Sequence, residues 1–205
     1  MPGSDLVAAG YPTTYPFRKL LGQAGQVQQA NRSQRSNLEW LGLANPTDGA
    51  LAATDVGCFV PIPVEIGDKL SKIAMLVGAT AAVTPTHSFA ALYSGLAVPA
   101  LLAQSADGVA AAIAASKPFT FTLESEVEVT AANAPNGFLY AEVCVTAATV
   151  PTAAVVSIPT AIGYQWFTNG PLFLSATAGA ALAGKAAATI VTPAAKAVAP
   201  LLFVS

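Results

Sequence analysis

The stretch KPFTFTLESEVEVTA, residues 117–131, alternates. Phe119, Phe121, Leu123, Val127 and Val129 hold odd positions, and Thr120, Thr122, Glu124, Glu126 and Glu128 hold even ones. A period of two belongs to an extended chain that turns one face to a core and the other to water, whereas a helix would spread both sets around its circumference. The stretch predicts a half-exposed strand. It also makes the three glutamates a solvated strand face rather than a catalytic carboxylate pair. Like charges on alternate residues further discourage edge-to-edge pairing.

The next stretch, APNGFLYAEVCVTA, opens on the turn dipeptide Asn136-Gly137, where glycine takes a positive φ without steric penalty. A strand rich in β-branched and aromatic residues follows. Leu139, Ala141, Val143 and Val145 share one face, and Phe138, Tyr140, Glu142 and Cys144 the other. Both faces are largely apolar, so this reads as a central strand covered on both sides.

Other strands are expected at 58–64, 69–80, 153–160, 163–168, 171–177, 187–192 and 198–204, separated by turn residues. Pro61 and Pro63 confine the first of these to an edge or a strand start. Gly67-Asp68 reads as a turn, with Ile73, Met75 and Val77 sharing one face of the strand after it. In FAALYSGLAVPALLAQSADG, 87–94 is a strand, 95–99 a loop and 100–105 the return, which makes a hairpin; 110–115 reads as a single helical turn. Many short strands with Pro/Gly punctuation indicate an all-β protein, an antiparallel β-sandwich or barrel.

At 54% hydrophobic and 10% charged, the 205-residue chain invites a membrane reading. A spanning helix needs about 20 consecutive apolar residues. The longest uncharged reach, between Glu142 and Lys185, is broken by Pro151, Pro159, Gly163, Gln165, Asn169, Gly170 and Pro171. No membrane helix is expected. A formal net charge of -2 provides no basic stripe for nucleic acid. Asp5 stands where a secretion signal would be basic, and no apolar core follows it, so synthesis and folding in a cytoplasm are expected. The two cysteines, Cys58 and Cys144, are too few for a disulfide framework and read as buried thiols.

Residues 1–50 differ from residues 51–205. They carry a Gln/Asn/Ser run, the aromatics Tyr11, Tyr15, Phe17 and Trp40, and the basic residues Arg18, Lys19, Arg32 and Arg35, with no apolar period. They read as an extended N-terminal arm that becomes ordered on a partner, anchored by Tyr11, Tyr15, Phe17, Arg18, Arg32, Arg35 and Trp40, residue types that anchor interfaces. Residues 51–205 form the sandwich domain.

No catalytic constellation is legible. His87 is the single histidine and follows Pro85-Thr86 at a strand start. A Ser-His-Asp site needs a nucleophile and an orienting carboxylate in one place, and neither Asp107 nor any serine has such a sequence context. No His/Cys/Asp/Glu spacing fits zinc or calcium, and GQAGQ at 22–26 lacks the lysine and the preceding strand of a phosphate loop. No enzyme activity, cofactor or metal is expected. In GYQWFTNGPLF, Tyr164, Trp166 and Asn169 are residue types that also bind sugars, although such rings commonly fill a core or an interface.

The succession GDKLSKIAMLVGATAAVTPTHSFAALYSG, LLAQSAD, FTFTLESEVEVTAANAPNGFLYAEVCV and GYQWFTNGPLF resembles a family of β-sandwich virion proteins of tailed bacteriophages, the minor capsid, decoration or minor tail proteins. The resemblance spans roughly residues 61–173 and rests on turn and packing motifs. It implies a jelly-roll-like or related sandwich, a homo-oligomer (a trimer) and a place in the virion. There is no collagen-like repeat and no heptad stalk. One arm and one sandwich suit a capsid decoration protein that clips onto the major capsid protein. A minor tail protein recognising a host glycan through Tyr164, Trp166 and Asn169 is the alternative.

Overall fold

The computed structural model describes residues 34–37, 47–51, 56–109, 111–157, 174–177, 186–190, 194–195 and 198–205. Within Arg35–Ser205, a single compact unit, there are thirteen strands among the described residues. They are β1 (Arg35–Ser36), β2 (Thr47–Ala50), β3 (Val56–Pro63), β4 (Lys69–Leu76), β5 (Val83–Tyr93), β6 (Leu101–Gln104), β7 (Pro118–Glu128), β8 (Phe138–Thr149), β9 (Thr152–Ser157), β10 (Leu174–Thr177), β11 (Ala194–Ala195), β12 (Val198–Pro200) and β13 (Leu202–Val204). All the strand pairings are antiparallel. The sheets run β1-β13-β4-β7, β11-β10-β3-β8-β5-β6 and β12-β9-β2. The protein is all-β, an antiparallel sandwich.

The alternation in β7 is realised. Phe121, Leu123 and Val127 are buried and Glu124, Glu126 and Glu128 exposed. The pattern skips at Ser125 because β7 leaves its partner there: Leu70 pairs with Val127, but Lys72 pairs with Thr122. In the detour Leu123 bridges to Ser105, joining the edges of the two larger sheets. A bulge of this kind bends a strand and raises its twist, as a sandwich corner requires.

β8 is central, between β3 and β5, and Phe138 to Val145 are all buried. Its inner face, Leu139, Ala141, Val143 and Val145, meets Val60 and Ile62 of β3, Ala90 and Leu92 of β5, and Ile73 and Met75 of β4 in the main core. Its outer face joins a second cluster: Phe59, Ala91, Tyr93, Phe138, Tyr140 and Ile190. Phe59 meets Tyr93 edge-on at 5.5 Å and Phe138 meets Tyr140 edge-on at 5.3 Å, the geometry that ring quadrupoles prefer.

The turn expectations hold. Gly67 and Gly137 have φ of +94° and +73°. The hairpin from β5 to β6 also forms, closed by Ser94 N–H to Ala100 O at 2.9 Å. Gly95 is required there, because a Cβ would run into the Phe138 carbonyl.

Other expectations need correction. β3 is an interior strand, not an edge. The reason lies in register: Val64 N–H bonds Gly137 O, so Pro61 and Pro63, an odd number of residues away, direct their missing N–H groups away from β8. On that side β10 reaches only Val56–Phe59, so no ladder bond is lost. β5 begins at Val83, earlier than expected, and absorbs Pro85 in a register shift before His87. The expected strand at 198–204 is two: β12 pairs with β9 and β13 with β4, with Leu201 at the crossing between sheets. Residues 111–115 contain no helix; Ile113 is a buried plug whose carbonyl accepts the Ala82 N–H. Of the expected strand at 187–192, residues 187–190 show one bridge, Thr189 to Ala100, in place of a strand, and 191–192 lie outside the described residues. The expected strand at 163–168 lies outside the described residues. Neither Cys58, half-buried, nor Cys144, buried, forms a disulfide.

Candidate functional site: the root at β1

The arm expectation covered residues 1–50, yet two of its segments are strands of the domain. β1 pairs with β13, Arg35 opposite Val204 and Ser36 opposite Phe203. β2 pairs with β9. Arg35 is therefore fixed at one point of the domain, opposite Val204 of β13.

Four side chains build that point. The turn Glu65–Asp68, made possible by the positive φ of Gly67, presents Asp68 to the end of β1. Arg35 Nε donates to Asp68 Oδ2 and Arg35 Nη2 to Asp68 Oδ1, both at 3.0 Å, while Nη1 reaches Glu65 Oε1 at 3.4 Å. This is the bidentate fork that suits a guanidinium. Asp68 Oδ2 also accepts the Glu65 N–H at 2.9 Å. Arg35 is only 6% exposed. Burial alone would lower its pKa, but the hydrogen bonds and charges of Asp68 and Glu65 outweigh burial and raise it. Asn37 adds a second lock. Its Nδ2 donates to Pro200 O and its Oδ1 accepts the Leu202 N–H, both at 3.0 Å and both buried. It pins the corner where the chain passes from β12 to β13.

Arg35, expected to contact a capsid, thus faces inward; its charge is consumed by Asp68 and Glu65. Tyr11, Tyr15, Phe17, Arg18, Arg32 and Trp40 lie outside the described residues, as do Tyr164, Trp166 and Asn169.

Beside this root, the loops after β3, β5 and β7 are tied together. Val64 N–H bonds Gly137 O, Gly67 N–H bonds Val129 O and Gly95 N–H bonds Asn133 O, at 2.8–3.0 Å. Ile66, Leu96 and Val98 stand exposed on these loops. The triple-glutamate face of β7 is solvated, with one loose pair, Lys69 to Glu126 at 3.7 Å.

Sequence reasoning left His87 and Asp107 apart, and the structure brings them together. His87 Nδ1 lies 2.6 Å from Asp107 Oδ2, and Asp107 Oδ1 accepts the Ser88 N–H at 3.0 Å. A carboxylate-oriented imidazole is half of a nucleophilic site. The hydroxyls around it are engaged elsewhere: Ser88 Oγ donates to Gly108 O, Thr86 Oγ1 to Thr146 O and Ser105 Oγ to Ala106 O. The pair acts as a strap holding residues 105–108 on β5. Among the described residues no group of three or more His, Cys, Asp or Glu side chains could hold a metal ion, and no helix is long and apolar enough to cross a membrane. An open hollow of about 440 Å3 lies between β6 and the β7 detour, with Gln104, Glu124 and Ser125 as its polar lining.

Neither a protein-family model nor a curated protein matches this chain.

The residues that sequence reasoning missed are Asp68, Asn37 and Glu142. Asp68 was visible only as a turn residue, and nothing in Asn37's surroundings marked it. Glu142 carried a signal: one carboxylate on a strand whose two faces are otherwise apolar.

Proposed function

We propose that the chain is a non-enzymatic structural protein of a tailed-bacteriophage virion. In this reading it is a decoration or minor capsid protein. Residues 1–34 grip the major capsid protein, and the sandwich associates with copies of itself as a trimer. The observation that carries the reading is the locked root. A segment that holds a domain on a lattice transmits load to it, and Arg35 and Asn37 bind the first strand into the sandwich with buried and charge-assisted hydrogen bonds. The aromatic and basic residues upstream supply interface anchors. Exposed Ile66, Leu96 and Val98, on loops braced against one another, supply apolar surface for a subunit contact. The resemblance of residues 61–173 to phage virion sandwiches supplies the context.

Immunogold labelling of intact source particles, with mass spectrometry of the same particles, tests this. Gold over the heads at many copies is the expected result. Gold confined to one tail end moves the protein to adhesion, and absence of the chain from the particles overturns a virion role. Removal of residues 1–34, rather than 1–50, is the informative truncation, because β1 and β2 belong to the domain.

A further inference from the structure

Among the described residues Glu142 is the only fully buried carboxylic acid. It sits on the outer face of β8, and its two oxygens have unequal surroundings. Oε2 lies 2.9 Å from the Tyr93 hydroxyl. Oε1 has no hydrogen-bond partner among the described residues and rests over Gly57, where a Cβ would collide with it. The Tyr93 hydroxyl lies 2.9 Å from a second acceptor, the carbonyl of Ala187.

A phenol has one proton, and here it faces two acceptors. With Glu142 ionised, Tyr93 can satisfy the carboxylate or Ala187, not both. With Glu142 protonated, both bonds form: Glu142 donates to the Tyr93 oxygen and Tyr93 donates to Ala187. Ala187 belongs to a strip, residues 186–190, laid along β6 and over the aromatic cluster. The strip is held by Leu101 N–H to Ala188 O at 2.9 Å, by Ala186 N–H to Gln104 Oε1 at 3.0 Å and by Ile190 N–H to Pro99 O at 3.3 Å. Ile190 is buried against Phe59, Ala91, Tyr93, Phe138 and Tyr140.

We propose that Glu142, Tyr93 and the Ala187 carbonyl form a proton-operated latch that fastens residues 186–190 over the outer face of the six-stranded sheet. The proton comes from and returns to bulk water, and no other reactant is needed.

Neighbouring groups favour the neutral acid. The titratable side chains described on this face are Tyr93 of β5 and Tyr140 and Cys144 of β8, all neutral when protonated, and, further along β5 opposite Thr146, His87, which is paired with Asp107; Glu124 of β7 faces Ala186 and Ala188 of the strip across the open hollow. β3 contributes Gly57 and Phe59, and the strip contributes no ionisable side chain. Burial pushes the Glu142 carboxyl up to about 7, against a smaller opposing effect of the Tyr93 hydrogen bond. Burial and the adjacent carboxyl raise the Tyr93 phenol, which keeps its proton throughout. When the strip lifts, water reaches Glu142 and its affinity for the proton returns toward that of an ordinary carboxyl. The closed form therefore binds the extra proton, and raising the pH favours opening.

Amide hydrogen exchange on the full chain between pH 5 and 8.5, expressed as protection factors, reads this directly. Protection at Leu101, Ala186 and Ile190 is expected to fall roughly tenfold per pH unit between pH 5 and 7 and to level off above pH 7.5. Val77 and Ser116, which bond Lys117 O and Gly78 O, are expected to show a smaller change. Glu142→Gln, which keeps a donor toward Tyr93 but cannot titrate, is expected to remove the slope. Constant protection in the wild type, or an equal slope in Glu142→Gln, overturns the latch. The 13C titration of the Glu142 carboxyl in the wild type is a second reading that needs no variant. A midpoint near 7 is expected, and one near 4.5 overturns it.

Discussion

Among the described residues one basic and one acidic side chain are buried, Arg35 and Glu142, and they are treated in opposite ways. Arg35, in β1, is surrounded by carboxylates and keeps its charge. Glu142, on the outer face of β8, has only a phenol for company and is held toward neutrality. Desolvation acts against charge at both sites. The difference is the partner: an opposite charge in bidentate contact outweighs burial, and a neutral hydroxyl does not. The first site is a fixed lock and the second a proton-sensitive one.

Breaking the charged site gives the largest expected effect. Asp68→Ala leaves the buried guanidinium without its main partner and is expected to cost about 4 kcal/mol, measured by chemical denaturation. An effect below 1 kcal/mol would mean that the fork is not what keeps β1 in place.

Titrating the neutral site comes next. The unfolded chain gives up the Glu142 proton near the ordinary 4.5, whereas the folded protein holds it to about 7. Between those values the folded state binds the extra proton, so stability is fully present below 4.5, falls as pH rises and stops falling above about 7. The loss amounts to about 3 kcal/mol, on the usual conversion of a pKa difference. Glu142→Gln is expected to match the wild type near pH 5 and to exceed it at pH 8, with denaturation midpoints across pH as the check.

Steric crowding is smaller. Gly57→Ala drives a methyl into Glu142 Oε1, and about 2 kcal/mol of destabilisation is expected for such overpacking. Glu142→Ala in the same background should recover part of it, which a double-mutant cycle would detect. Smallest is Tyr93→Phe. It removes one hydroxyl and is expected to cost about 1 kcal/mol while loosening residues 186–190 in hydrogen exchange.

What the sequence made legible was periodic or local. The alternation in 117–131, the two apolar faces of β8, the turns at Gly67 and Gly137 and the hairpin after Tyr93 each depend on neighbours within a few residues. What stayed hidden depends on pairs far apart in the chain. Arg35 and Asp68 are 33 residues apart, Tyr93 and Glu142 49, and His87 and Asp107 20. No periodicity encodes such meetings; strand order and register do. The prolines of β3 show how a local rule can mislead. They ruled out an interior strand only because the ladder was assumed to run its full length, whereas β10 covers just four of its residues. Glu142 is the instructive middle case. Its position on a doubly covered strand already demanded a hydrogen-bonding partner, although the identity of that partner could not be read.

The pairing of β1 with β13 also sets an order in time. Asn37 grips Leu202, 165 residues later. A ribosome adding about 5–20 residues per second takes roughly eight to thirty seconds to cover that distance. Through that interval Arg35 and Ser36 have no strand to pair with. β1 can pair only once β13 has been synthesised and has cleared the exit tunnel, so the first described strand of the sandwich is among the last to be fastened.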